Sequence, residues 1–264
     1  MTDKGLCRVI TVANQKGGVG KTTTAVNLAA GLGLAGVKTL LIDFDPQGNA
    51  TSGFGLEKST AQTAFDVIVG DLPPKKAIRQ TPYGDILPSC LELAGAEIAL
   101  VETQNREHAL KRAITELRAH YNVIIIDCPP SLGLLTLNAL CAADSVLIPL
   151  QCEYFALEGL SMLVNSIRTV RKKLNPRLDI DGILFTMFDG RTNLAMQVVR
   201  EVKKYFADKV YKTVIPRYVR LSEAPSHGKP IQFYDKSSKG AAGYIKLTEE
   251  FMRRNRISGK KKQV

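Results

Sequence analysis

Apolar and polar positions alternate along this chain in two rhythms: short continuous apolar runs, and longer stretches in which apolar residues recur every three to four positions. Residues 6–13, 37–44 and 121–126 are near-continuous apolar runs rich in β-branched side chains, the pattern of strands covered on both faces of a parallel sheet. Residues 85–88, 145–150, 180–187 and 210–215 are further strand candidates. Helical periodicity runs over 22–34, where Ala25, Leu28, Ala29 and Leu32 share a face, and over 61–69, 93–101, 106–120, 132–141, 157–174, 194–206 and 241–255. Residues 47–59, rich in Gly, Ser and Asn, read as a loop that could move, and Leu72-Pro73-Pro74 breaks the helix before it. Regular alternation of strand and helix predicts an α/β protein with a mostly parallel sheet and helices on both faces.

The turn after the first strand narrows this picture. Gln15-Lys16-Gly17-Gly18-Val19-Gly20-Lys21-Thr22-Thr23 ends as a P-loop does, but Gln15 stands where the first glycine would be and a second lysine, Lys16, follows it. Glycines let backbone N–H groups turn toward phosphates, and the helix that starts here adds its positive end. Lys21 is expected to reach the β- and γ-phosphates and Thr22 to ligate Mg²⁺, with Gly17, Gly18, Val19, Gly20 and Thr23 completing the cradle. The fold expected is therefore a doubly wound P-loop NTPase sheet. Its second strand ends in Asp43-Phe44-Asp45-Pro46-Gln47-Gly48-Asn49 and its third in Asp127-Cys128-Pro129-Pro130-Ser131. In parallel sheets ligands sit at the carboxyl ends of strands, so these carboxylates should meet the P-loop. Asp127 is the candidate to hold Mg²⁺ through water; Asp43 and Asp45 are candidates for outer metal contact and for positioning the attacking water. Each aspartate, taken alone, could equally be a turn cap.

With these three motifs the chain resembles the deviant P-loop ATPases of the ParA/MinD superfamily, and most of all its ParA/Soj chromosome-partitioning branch. Residues 151–159 (QCEYFALEG), Arg191-Thr192-Asn193, Ile215-Pro216-Arg217 and 222–228 (SEAPSHG) extend the likeness over nearly the whole chain. The resemblance implies a slow ATPase that dimerises around ATP. Lys16 would cross the interface to the partner's nucleotide and neutralise charge developing there, as an arginine finger does. It implies that Asp45 matters more for hydrolysis than for binding. It also implies that Pro216, Arg217 and Tyr218 lie near the adenine, although many relatives carry Asn where Tyr218 stands. The implied partners are double-stranded DNA, bound without sequence preference, and a ParB-type centromere-binding protein. The implied location is cytoplasmic and nucleoid-associated, with chromosome favoured over plasmid as cargo because no DNA-reading domain precedes the first strand.

Composition changes the picture at one point. Hydrophobic residues make up 45% of the 264, enough for a sizeable core, and no apolar run approaches the length of a membrane span. Residues 1–257 read as a single domain and 258–264 as a disordered basic tail. The five scattered cysteines read as reduced thiols of a cytosolic protein. Charge, however, is segregated: residues 191–264 carry 18 Lys and Arg against 6 Asp and Glu, whereas residues 1–190 carry 18 against 19. Such segregation suits a polyanion, and Arg191, Lys203, Lys204, Arg217 and Arg220 are the candidate DNA contacts. The competing reading is a MinD-like positioning ATPase lying on membranes through its last helix, where Tyr244, Ile245, Leu247, Phe251 and Met252 neighbour Arg253, Arg254 and Arg256. The polar tail beyond that helix argues against stable membrane association.

Overall fold

The structure, a computed structural model, describes residues 7–259. Seven strands form one sheet in the order β3-β4-β2-β5-β1-β6-β7. These are β1 (Arg8–Val12), β2 (Thr39–Asp43), β3 (Arg79–Thr81), β4 (Gly84–Leu87), β5 (Val123–Asp127), β6 (Ser145–Gln151) and β7 (Asp179–Thr186). All neighbours pair in parallel except the β3–β4 hairpin. The helices are α1 (Lys21–Leu34), α2 (Asn49–Gly53), α3 (Ala64–Ile68), α4 (Pro74–Ala77), α5 (Ala96–Ala99), α6 (Ala109–Ile114), α7 (Leu134–Ala142), α8 (Ala156–Lys173), α9 (Asn193–Phe206), α10 (Arg220–Glu223), α11 (Ile231–Tyr234) and α12 (Lys239–Arg254).

Side-chain alternation along the strands divides the interior into two cores. Val9, Leu40, Ile42, Ile124 and Ile126 face one, with α6, α7 and α8. Ile10, Val12, Leu41, Ile125 and Leu147 face the other, with α1 and α12. Strands covered on both faces carry no polar stripe, which is why they read as continuous apolar runs. Tyr244, Leu247 and Phe251 of α12 are fully buried in the second core. Burial of side chains this size stabilises the docked helix by roughly 1.5–3 kcal/mol apiece. Most of the apolar face that a membrane-lying helix would need is thus spent inside the protein, with Ile245 left exposed, and the MinD-like reading loses support. No helix among the described residues is long and apolar enough to cross a membrane.

Four expectations need correction. Residues 210–215 do not form a strand. Tyr211 and Ile215 donate N–H groups to Ile183 and Phe185 of β7 (both 2.9 Å). The intervening N–H groups of Lys212 and Thr213 go instead to the carboxylate of Glu250 on α12 (both 2.8 Å), so the ladder never closes. Residues 47–59 are not all loop: α2 forms within them, started by Gly48 in the left-handed region (φ 61°). The helix expected over 106–120 is cut to the six residues of α6, between 3₁₀ turns. That expected over 93–101 shrinks to α5 behind another. Of the basic tail, residues 260–264 lie outside the described residues, and Lys260, Lys261 and Lys262 with them.

Candidate nucleotide site and basic edge

The parallel topology delivers the ends of β1, β2, β5 and β7 to one edge, where a cavity of about 850 Å³ opens. Gly17, Gly18, Gly20, Lys21, Thr22 and Thr23 line one side. Gly18 (φ 75°) and Gly20 (φ 84°) occupy the left-handed region, which turns the loop tightly into α1. Gly20 precedes α1 and no side chain caps the helix, so its first N–H groups remain available to an anion. The loop is pinned from beneath. Asn14 donates to Pro149 O (2.7 Å) and accepts the Lys16 N–H (3.0 Å). Thr186, at the end of β7, donates to Val19 O (2.8 Å).

The carboxylates differ in what they touch. Asp45 is 7% exposed and lines the cavity, with one oxygen accepting the Gln47 N–H (3.0 Å). Asp127 is fully buried, and neither of its oxygens has a hydrogen-bond partner among the described residues. Burial and the neighbouring Asp43 push its carboxyl well above the ordinary range, against the pull of Thr22 and Lys21. Burial also lowers the Lys21 ammonium, opposed by Asp127 and Asp45. A buried carboxylate without a partner, beside the Thr22 hydroxyl, offers oxygen ligands to a hard cation, while the Lys21 ammonium suits phosphate. Asp43 is different. Burial raises it to about 6, yet one oxygen accepts the Asp45 N–H (3.2 Å) and the other accepts both the N–H and the hydroxyl of Thr51 (2.7 Å each). Its oxygens hold the loop and α2, which gives Asp43 the part of a loop anchor beside the outer metal contact expected of it.

Lys16 does not line the cavity. Its ammonium pairs with Glu153, just past β6, while its carbonyl accepts from Lys21 Nζ (3.3 Å). The Lys16 ammonium thus stands outside the cavity of its own subunit.

Pro216, Arg217 and Tyr218 form another wall of the same cavity. The backbone of Phe188 pairs with Ile215–Pro216, which brings the loop of Asp189 and Arg191 alongside. Arg191 and Arg217 therefore stand at the nucleotide edge. Arg191 is held by both oxygens of Asp189 (2.8 and 2.6 Å), and Arg220 by Asp235 (3.2 Å). Pairs open to solvent are weak, and of these two the Arg191–Asp189 pair is the more exposed. Arg217 is exposed with no carboxylate within 4 Å among the described residues, and Lys203 and Lys204 are exposed in the last turn of α9.

Sequence reasoning missed Thr186, Met187, Asn27 and Tyr244, which also line the cavity. The end of β7 was the signal for the first two, since it reaches the same edge. Met187 is held at φ 47°, a strained conformation of the kind that clusters at functional sites. Asn27 and Tyr244 lie on helix faces that read as core, and nothing local marks them.

Comparison with known proteins places this geometry. A family model described as an AAA domain matches residues 7–180. The sporulation initiation inhibitor protein Soj of Bacillus subtilis is 59% identical over 246 residues, 92% of this chain and 97% of that protein. The chromosome partitioning protein ParA of Myxococcus xanthus is 53% identical over 260 residues, 97% of this chain and 92% of that one. Among solved structures, a cobyrinic acid a,c-diamide synthase from Mycobacterium smegmatis with bound ADP and magnesium superposes with a TM-score of 0.84. It is 39% identical, over 97% of this chain and 98% of that one.

Proposed function

The chain belongs to the ParA/Soj family of chromosome-partitioning ATPases, and we propose that this protein is an ATP-dependent dimerising switch that holds double-stranded DNA without sequence preference and releases it on hydrolysis. The observation that carries this reading is a shared wall: the segment of Pro216, Arg217 and Tyr218 lines the cavity with the P-loop and runs directly into the basic turn of Arg220. A change of nucleotide there acts on the surface that meets DNA. Phosphate contacts need no base reading, so Arg191, Lys203, Lys204, Arg217 and Arg220 suffice chemically for sequence-independent binding. Two such surfaces in one dimer would bind with avidity. A ParB-type partner would stimulate hydrolysis, and the protein would reside on the nucleoid. The synthase name of the structural neighbour does not redirect this, since the more identical relatives are partitioning proteins.

ATP is the substrate, with its phosphates on the loop amides and Lys21. The buried, unpartnered Asp127 fits magnesium, which Thr22 and Asp127 would hold. Bound there, the ion offsets negative charge on the β- and γ-phosphates. Asp45 would orient the attacking water from its place on the cavity wall, and Lys16 would act on the partner's nucleotide.

Measurement of duplex affinity with ATP, with ADP and without nucleotide tests the switch. Affinity with ATP should exceed that with ADP at least about tenfold and fall as a steep power of salt concentration. Equal affinity in the two nucleotide states would defeat the coupling.

A second expectation concerns protons. Folded pKa values raised above the unfolded ones, to about 6 for Asp43 and upward for Asp127, mean that the pair takes up a proton as pH falls before an unfolded aspartate would. A metal ion holds its carboxylate ionised, so binding of magnesium–ATP to the protonated pair should release up to about one proton. Affinity should weaken as pH falls further. Calorimetry in buffers of different ionisation enthalpy measures the release, and Asp127→Asn should abolish it. Proton uptake on binding would contradict the assignment.

A further inference from the structure

Thr51 lies in the middle of α2, fully buried, and touches no part of the cavity, although its helix neighbours Asn49, Ser52 and Gly53 line it. Its hydroxyl and its backbone N–H both donate to Asp43 Oδ2 (2.7 Å each), and the same hydroxyl accepts the N–H of Ser89 (3.0 Å), two residues past β4. Asp43 closes β2, and its other oxygen accepts the Asp45 N–H (3.2 Å). One hydroxyl thus ties together the end of β2, α2 and the exit from β4. The single carboxylate it steadies also holds the backbone of Asp45.

A helix cap would need only the bond to the Thr51 N–H. The hydroxyl adds a charge-assisted bond, roughly twice as strong as a neutral one, and uses both its donor and its acceptor capacity in a dry site. Without it, Asp43 would keep its burial but lose a donor, and the Asp45 loop would be held by a carboxylate steadied by backbone N–H groups alone. We propose that Thr51 is a positioning residue for ATP hydrolysis, acting through Asp43 to fix the loop that carries Asp45. The inference rests on Asp45 being the hydrolytic carboxylate, and it assigns a task to a residue that meets neither nucleotide nor metal.

Thr51→Val keeps the shape and removes the hydroxyl; Thr51→Ser restores the hydroxyl. Thr51→Val should bind ATP within about threefold of the parent, with kcat lowered about 10- to 100-fold, the scale on which a slightly misplaced reacting group slows catalysis. Amide hydrogen exchange should rise over residues 45–48 and stay unchanged over the P-loop. Thr51→Ser should return kcat to within about threefold of the parent. A folded Thr51→Val protein with unchanged kcat overturns the proposal, as does a loss of affinity in step with kcat. If Thr51→Val does not fold, Thr51→Cys, with its weaker donor, carries the same test of kcat against affinity. Asp45→Ala, measured beside these, separates the two ideas: normal hydrolysis there sinks the role of Asp45 itself, whereas a Thr51 variant failing alone sinks only this inference.

Discussion

Asp45→Ala should bind ATP about as tightly as the parent and hydrolyse it at least about 100-fold more slowly, since a residue that positions or deprotonates the nucleophile contributes on the order of 10²–10⁴. The asymmetry follows from where the groups lie. Affinity is expected from the loop amides, the open end of α1, Lys21 and Thr22, none of which Asp45 supports through a hydrogen bond. Its own side-chain and N–H bonds are local: the backbone N–H donates to Asp43 and one carboxylate oxygen accepts the Gln47 N–H. Removing the side chain therefore takes a polar group from the wall and leaves the cradle standing. Because hydrolysis would end the dimeric state, the variant should accumulate as an ATP-bound dimer on DNA. Nucleotide affinity, single-turnover hydrolysis and light scattering give the three readings. A fall in affinity that matches the fall in rate would remove Asp45 from this role.

Lys16→Ala should behave in the opposite way, binding ATP as a monomer but failing to dimerise on it. In one subunit the ammonium pairs with Glu153 outside the cavity, with the two side chains 40% and 45% exposed. An exposed pair contributes at most about 1 kcal/mol, so the variant should lose little stability and the ammonium can leave for a stronger anion. A partner's nucleotide offers that anion. Truncating one member of a desolvated charged pair at an interface costs about 2–5 kcal/mol, so ATP-dependent self-association should weaken about 30-fold or more. Sedimentation equilibrium with a non-hydrolysed nucleotide measures it. A Lys16→Ala protein that still dimerised with ATP and hydrolysed it normally would leave the second lysine without the function proposed for it.

The part of the site that was legible in the sequence is the part built by short segments. A glycine-rich turn between an apolar run and an amphipathic run fixes its own backbone, and Asp43 and Asp127 follow their strands directly, so topology alone carried them to the P-loop. What the sequence withheld depends on groups far apart in the chain. Residues 210–215 have every mark of a strand, and what denies them a ladder is Glu250, on the last helix. Asp43 and Asp127 look alike as strand-ending aspartates, yet Thr51 satisfies one and nothing among the described residues satisfies the other. Arg191 and Arg220 read as free cations, and the structure sets each against a carboxylate. The charge of the basic region follows from composition; its pairing follows from the fold.

The positive-φ glycines beyond the P-loop include Gly55, just after α2, and Gly228, at the end of the 224–228 turn. A Cβ on Gly55 would stand 3.2 Å from Gly228 O, and one on Gly228 3.1 Å from Gly55 Cα. The wall that follows Asp45 and the stretch that follows the basic turn thus meet backbone to backbone, with no side chain between them to bend. Flexible contacts absorb small displacements; bare main chain passes them on. Substitution of either glycine should therefore weaken the DNA retention proposed above without removing a cation, because an added Cβ would push the two segments apart.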